Sequence, residues 1–385
     1  MRLFLLLAVL SFNSATFSQT DSAVRARQLN IPFEGKPGKF NSITDVPGLL
    51  VGYTTLIQGS GKLVAGKGPV RTGVTVILPK GRNPLPYAAA WFSLNGDGEL
   101  TGLPYIEDHG MGYGPIGITN TNSVGVVRDA IGVWSFKNYS RGEFIDFSFG
   151  LPVVGETWDG MLNDINGFHV KEHHVWAAIE NARSGALQEG NVGGGTGMML
   201  YEFKGGTGTA SREILVDGKK YTLGVLVQAN FGRRQELTIR GVPVGKEINN
   251  HMPVYTIPGR KDGSIIAIVA TDAPLLPGQL KLIAKRVTHG IARTGTFSHN
   301  SSGEMFLALS TAEPVSDTAA NIEIWKAIPK SSLDPFFEAT VQATEEAIIN
   351  ALVAARDMEG INGNKWFGIR HDELQKVMRK YRPGN

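Results

Sequence analysis

The chain has 385 residues, 42% hydrophobic and 19% charged, with 38 Lys and Arg against 35 Asp and Glu for a net charge of +3. That length and apolar content supply a substantial core and exclude disorder along the whole chain; the interspersed charges form no basic stripe of the kind nucleic acid requires. The absence of cysteine excludes disulfides, thiolate metal ligands, Fe–S clusters and a cysteine nucleophile, leaving covalent chemistry to Ser, Thr, Lys or a carboxylate.

The chain opens with MRLFLLLAVLSFNSATFSQ, in which Arg2 precedes an apolar run and then small and polar residues. This pattern predicts a signal peptide over residues 1–18, cut after Ala15 or Ser18, and an exported protein, periplasmic or secreted. The run is shorter than the roughly 20 apolar residues that cross a bilayer, and no later segment is apolar enough to serve as an anchor. With no repeat and no Pro/Ser-rich linker, residues 19–385 read as one unit.

Residues 61–68 (GKLVAGKG) nearly match a phosphate-binding loop, but Gly68 stands where the magnesium-binding hydroxyl belongs, so the segment reads as a flexible loop. Strands are predicted at 73–78, 222–229, 264–271 and 305–309, rich in Val, Ile, Leu, Ala and Thr. The run SIIAIVAT at 264–271 is apolar on both faces, which places it in the middle of a covered sheet.

His169, His173 and His174 with Glu172 could share a helix face, yet without an HExxH pattern they read as the polar start of a helix rather than a metal site. That helix is expected from about Val175, through Ile179 and Ala182, to about Gly185. The segment GNVGGGTGM at 190–198 has too many glycines for a helix or strand interior. It is either a loop lining a pocket or a tight crossover between core elements.

An amphipathic helix is predicted from Pro277 to His289 on Leu280, Ile283, Ala284 and Val287, with Gly290 as its C-terminal cap. Another begins at Asp334 as N-cap and Pro335 in the first turn, with Phe337, Val341, Ile348, Leu352 and Ala355 on one stripe, and stops before Gly360. Helices alternating with doubly buried strands indicate a layered α/β sandwich.

The chemistry is less direct. Neither a G-x-S-x-G elbow nor an S-x-x-K pair occurs. At Lys261-Asp262-Gly263-Ser264 an Asp-Gly turn feeds the most apolar strand, and by spacing alone this is an ordinary turn. A sharper reading makes Ser264 a new amino terminus after cleavage at Gly263. A serine there has its own α-amine, with an ordinary pKa of about 7.7 to 8.0, as a neighbouring base.

Six ordered blocks carry a resemblance: RDAIGVW (128–134), LPVVGETWDGMLNDINGFHV (151–170), EGNVGGGTGM (189–198), VLVQANFGRR (225–234), GSIIAIVATDAPLLPGQLK (263–281) and ARTGTFSHNSSGEMFLALSTA (292–312). They resemble the self-processing serine aminopeptidases, which include L-aminopeptidase D-amidase/esterase and the β-peptidyl aminopeptidases. The resemblance implies an αββα four-layer sandwich like that of N-terminal-nucleophile hydrolases, and a precursor cut between Gly263 and Ser264 into a large subunit (19–263) and a small one (264–385).

It further implies Ser264 as nucleophile, Asn230 as oxyanion donor, Ser302 and Glu304 as the second serine and acid that assist proton transfers, and Glu156 as the carboxylate that receives the substrate's ammonium group. Trp158 stands where relatives carry Tyr or Trp and is expected to shape the pocket. Glu304 stands where some relatives have Asp. Both point to the β-peptidyl branch.

The segment NGDGELTG (95–102) is similar to a family loop near the site, with no chemical role assigned. The implied substrates are short peptides, amides or esters with a free amino terminus; no cofactor, metal, nucleic acid or membrane is implied. A homo-oligomer is implied too, a tetramer of processed heterodimers among relatives. The rival readings are an acyltransferase like ornithine acetyltransferase and an inactive exported binding protein of the same fold.

Overall fold

The computed structural model describes residues 24–83, 85–139, 150–256, 263–313, 315–317 and 322–382. The predicted leader, and Lys261 and Asp262 of the turn before the proposed nucleophile, lie outside the described residues.

Two sheets stack face to face. In the first, β1 (Leu50–Gln58), β2 (Val70–Leu78), β5 (Ile116–Asn120) and β6 (Val153–Thr157) lie in that order, with β5 and β6 parallel. The second has the order β4-β3-β12-β11-β10-β9, from β3 (Tyr87–Gly96), β4 (Met111–Gly112), β9 (Gly206–Val216), β10 (Lys219–Asn230), β11 (Ser264–Thr271) and β12 (Gly303–Ser310). Only β11 and β12 run parallel within it. A two-stranded ribbon, β7 (Met199–Leu200) with β8 (Phe203–Lys204), lies beside the end of β10.

Three apolar layers hold the sandwich. Ile77, Ile118, Leu226, Ile266, Ile268 and Leu307 fill the space between the sheets. Helices α2 (Val124–Tyr139) and α3 (Glu172–Glu180) cover the outer face of the four-stranded sheet through Val127, Ile131, Val175 and Ile179. Helices α5 (Pro277–Ala292) and α6 (Asp334–Ala354) cover the six-stranded sheet through Leu280, Ile283, Ile348 and Leu352. This is the expected αββα order. Shorter helices α1 (Leu103–His109), α4 (Val244–Glu247) and α7 (His371–Tyr381) sit at its margins. Among the described residues no helix is long and apolar enough to cross a membrane.

The strand at 264–271 is buried throughout, and its apolar character on both faces has a direct cause. Ile265, Ala267 and Val269 pack under the helices, while Ile266, Ile268 and Ala270 meet the opposite sheet. Both faces being covered, no alternation with polar residues is possible.

Three helix expectations need correction. α5 continues through Gly290 to Ala292. A Cβ at Gly290 would stand 2.5 Å from the Thr344 Cβ and 2.9 Å from the Val341 carbonyl oxygen, so this glycine is where α5 and α6 touch and not a cap. In α6, Leu333 takes the N-cap place, Asp334 is the first helical residue, and Ala355 falls beyond the end.

α6 also lacks a solvent face over most of its length, because the segment after Val24 covers it. Asn350 Oδ1 accepts the Ala26 N–H at 3.0 Å, and Glu346 binds Arg27 and Arg212, each at 2.7 Å. Polar pairing to another segment thus replaces the single apolar stripe. α3 begins at Glu172 and ends at Glu180, leaving Ala182 and Gly185 outside.

The Gly-rich segment is a crossover. Residues Gly193–Gly197 form a wholly buried 3-10 turn between the sheets. A Cβ would lie 2.4 Å from Thr75 Oγ1 at Gly193, 2.1 Å from Gln228 Oε1 at Gly194 and 2.3 Å from the Arg71 carbonyl at Gly197. No side chain fits at these three glycines. The loop at 61–68 is held by Asp164, whose Oδ2 accepts the Gly66 and Gly68 N–H groups at 2.8 and 3.1 Å.

Candidate active site

Ser264 is the first residue of β11, near the centre of the six-stranded sheet, where it pairs with Asn230 on one side and Gly303 on the other. Side chains alternate along a strand, so Ser264 shares the face of Ile266 and points into the layer between the sheets. There the layer opens into a cleft of about 260 Å³ lined by Asp97, Gly98, Glu99, Thr121, Glu156, Trp158, Gly263, Ser264 and Ser301.

The peptide before Ser264 is tightly placed. A Cβ on Gly263 would fall 1.6 Å from the Asn230 carbonyl oxygen, so only glycine can precede the serine. The Gly303 N–H is shared at 3.2 Å between the Gly263 carbonyl oxygen and Ser264 Oγ. One donor therefore serves both the candidate scissile carbonyl and the hydroxyl beside it.

Asn230, the last residue of β10, has a fixed amide orientation. Its Oδ1 accepts the Met199 N–H at 2.8 Å and its Nδ2 donates to the Trp158 carbonyl at 2.9 Å. Because the Met199 N–H can only donate, the oxygen must face it, which leaves the second Nδ2 hydrogen available.

Beside this clamp lie two buried ionisable groups. Lys204 Nζ donates to the carbonyls of Met198 and Gly205 at 2.7 and 2.8 Å, and burial pushes its pKa down to about 7. Burial pushes Asp159, next to Trp158, up to about 7, against the side-chain hydrogen bonds of Thr72 and Asn163.

Glu156, in β6, is only 4% exposed. Its Oε1 accepts the Glu99 N–H at 3.0 Å and its Oε2 accepts the Thr121 hydroxyl. Burial raises its pKa; the Thr121 hydroxyl and Glu99 N–H oppose that rise, and the carboxylates of Glu99 and Asp97 add to it. Among the described residues it forms no ion pair. Trp158 forms a half-buried wall of the same cleft.

Ser302 and Glu304 flank Gly303 and are both buried. Burial raises the Glu304 pKa, tempered by the nearby Ser302 and Ser298 hydroxyls. Ser302 Oγ and Glu304 Oε2 nevertheless complete no well-formed hydrogen bond. Both stand beside the strand end that holds Ser264.

All the predicted residues thus converge on the ends of β6, β10, β11 and β12. Three contributors escaped the sequence reading: Thr121, the Gly303 N–H and the Met199 N–H. Backbone donors carry no side-chain signature, and Thr121 lies in the unremarkable run Thr-Asn-Thr-Asn at 119–122, where β5 gives way to a 3-10 turn. The loop at 95–102 does reach the cleft, through Asp97, Gly98 and Glu99. The histidines disperse: His169 Nε2 lies 2.8 Å from Asp164 Oδ2, and His173 packs on His174. Among the described residues no group of three or more His, Asp or Glu is arranged to hold a metal.

The chain is similar along nearly its whole length to proteins of known type. Beta-peptidyl aminopeptidase BapA of Sphingosinicella microcystinivorans is 50% identical over 373 residues, covering 93% of this chain and 92% of that protein. The L-aminopeptidase D-Ala-esterase/amidase of Ochrobactrum anthropi, described as a prototype for the serine aminopeptidases and a variant among the Ntn hydrolase fold, superposes with a TM-score of 0.86 at 43% identity. That match covers 93% of this chain and 98% of the other. A Burkholderia sp. beta-aminopeptidase gives a TM-score of 0.83 at 41% identity over 93% of this chain and 99% of its own. The family model for peptidase family S58 matches residues 41–366, a span that holds every residue of the cleft, and the chain belongs to that family.

Proposed function

We propose that this serine aminopeptidase activates itself by cutting the Gly263–Ser264 bond and then releases amino-terminal residues, β-amino acids among them, from short peptides, amides or esters. The observation that carries the proposal is the Gly303 N–H shared between Ser264 Oγ and the Gly263 carbonyl oxygen. A donor on that oxygen polarises the carbonyl and favours the charge that develops when the hydroxyl attacks it.

In the first step Ser264 Oγ bonds to the Gly263 carbonyl carbon, the C–N bond breaks, and the nitrogen leaves as the α-amine of Ser264. Water then hydrolyses the ester, giving the Gly263 carboxylate and a free Ser264 hydroxyl. The new amine titrates near neutrality, at about 7.7 to 8.0 in an ordinary amino terminus, and can take the hydroxyl proton in each turnover.

For the substrate, Glu156 binds the terminal ammonium, Asn230 Nδ2 donates to the oxyanion, and Ser302 and Glu304 relay protons to the leaving amine. Trp158 packs on the residue to be released. A buried carboxylate without a cation partner supports the requirement for a free amino terminus. The names of the BapA and Burkholderia relatives support β-residues as substrates.

Export through the 1–18 leader, to the periplasm or beyond, and assembly of processed heterodimers into an oligomer belong to the same proposal. Intact mass and amino-terminal sequencing test the activation step. The wild type is expected as two fragments, one beginning at Ser264, and Ser264→Ala as one uncut, inactive chain. An uncut variant with full activity would overturn the assignment. Light scattering of the processed protein checks the assembly.

A further inference from the structure

Glu156 is held by two donors from two different elements, the Glu99 N–H on Oε1 and the Thr121 hydroxyl on Oε2. The backbone bond comes with the loop at 97–99. The hydroxyl needs another explanation, because Thr121 opens a short 3-10 turn, Thr121–Ser123, whose N-cap Asn120 makes no side-chain cap bond. Thr121 is exposed and lines the cleft, one residue beyond the register pair of Asn120 with Thr157. Its hydroxyl therefore braces neither the turn nor the core, and its partner is Glu156.

We propose that Thr121 is a positioning residue for the aminopeptidase reaction, whose hydroxyl keeps Glu156 ionised and aimed so that the substrate ammonium meets a preset carboxylate. The proposal rests on the reading of Glu156 as the ammonium anchor. A carboxylate has about four acceptor sites; two are filled here, from the loop and from Thr121, which leaves others for the incoming cation.

The charged groups acting on Glu156 are Glu99 and Asp97, both of like sign, and burial works in the same direction. Against them stand the Glu99 N–H and the Thr121 hydroxyl. A hydroxyl that donates to a carboxylate favours its ionised form. Its removal lets the pKa climb further, and ammonium binding is then lost at a higher pH.

The test measures kcat and KM of the processed full-length enzyme across the acid limb, with an aminoacyl p-nitroanilide that the wild type cleaves. Thr121→Val is expected to raise KM about tenfold or more, the scale of one hydrogen bond to a charged group. The Glu156 step of the acid limb of kcat/KM, which reports the free enzyme and is separate from the step of the Ser264 α-amine, should move up by about one pH unit. Thr121→Ser should restore both. Thr121→Ala serves as a second variant, and mass analysis shows that each has been processed.

Glu156→Gln separates the two levels. If it leaves KM unchanged, the ammonium-anchor reading fails and Thr121 has nothing to position. If it raises KM while Thr121→Val and Thr121→Ala keep the wild-type KM and limb, the anchor stands and the Thr121 proposal falls. A failure of Thr121→Ser to restore the limb would also overturn it, since packing and not the hydroxyl would then be responsible.

Discussion

Asn230 and Ser264 face each other across the antiparallel pairing of β10 and β11, so the amide that ends one strand stands opposite the hydroxyl that begins the next. The Met199 N–H and the Trp158 carbonyl set the orientation of that amide. Asn230→Ala is expected to lower kcat by roughly 100- to 1000-fold, as for other single oxyanion donors, with KM changed far less. Steady-state kinetics on an aminoacyl p-nitroanilide check this. A fall confined to KM would instead make Asn230 a binding residue.

Glu304 is held above its ordinary range by burial, and in the proposed relay it must start ionised to accept a proton before passing it to the leaving amine. Activity should therefore fall as pH drops through the raised value. In the proposed substrate complex Glu156 is paired with the ammonium, so the acid limb of kcat carries the steps of the Ser264 α-amine and of Glu304, and that of kcat/KM includes Glu156 as well. Glu304→Gln should lower kcat by about 100-fold or more and remove the Glu304 step from its acid limb, leaving that of the α-amine. A pH profile of kcat for the processed variant decides between this and a purely structural carboxyl.

Asp159 offers a prediction about stability. Its carboxyl is raised to about 7 by burial, so the folded state keeps a proton that the unfolded chain releases near its ordinary value of about 4. The resulting stability is complete below that ordinary value and is lost as pH rises through about 7. Asp159→Asn preserves the shape and the acceptor for Asn163 Nδ2, which lies at 3.0 Å. Melting temperature against pH should slope downward over this interval in the wild type and flatten in the variant. Lys204, lowered to about 7, acts with the opposite sign, its burial cost easing as pH rises further.

Gly290→Ala distinguishes a helix contact from a cap. In a solvent-facing helical position alanine would gain about 1 kcal/mol over glycine. Here the new Cβ meets Thr344 and the Val341 carbonyl, and α5 must move off α6. Overpacking of this kind costs about 1 to 3 kcal/mol. Chemical denaturation should show a net loss, and a stabilised variant would refute the close packing.

The local pattern of the chain determined the strands at 73–78, 222–229, 264–271 and 305–309 and the helices from Pro277 and Asp334, because periodicity and turn residues act over a few positions. The resemblance carried by six ordered blocks pointed to Ser264, Asn230, Glu156, Ser302 and Glu304 as one constellation. Tertiary structure alone decided that Gly290 is a crossing point, that the glycines at 193–197 pass between two sheets, and that the outer face of α6 is covered by residues from the start of the described chain. It also decided how the site is braced: by Thr121 on Glu156, by the Met199 N–H and Trp158 carbonyl on Asn230, and by the Gly303 N–H on Ser264. These partners are separated from the groups they hold by 31 to 72 residues. Most are backbone atoms that every residue carries, and only folding selects which of them meet.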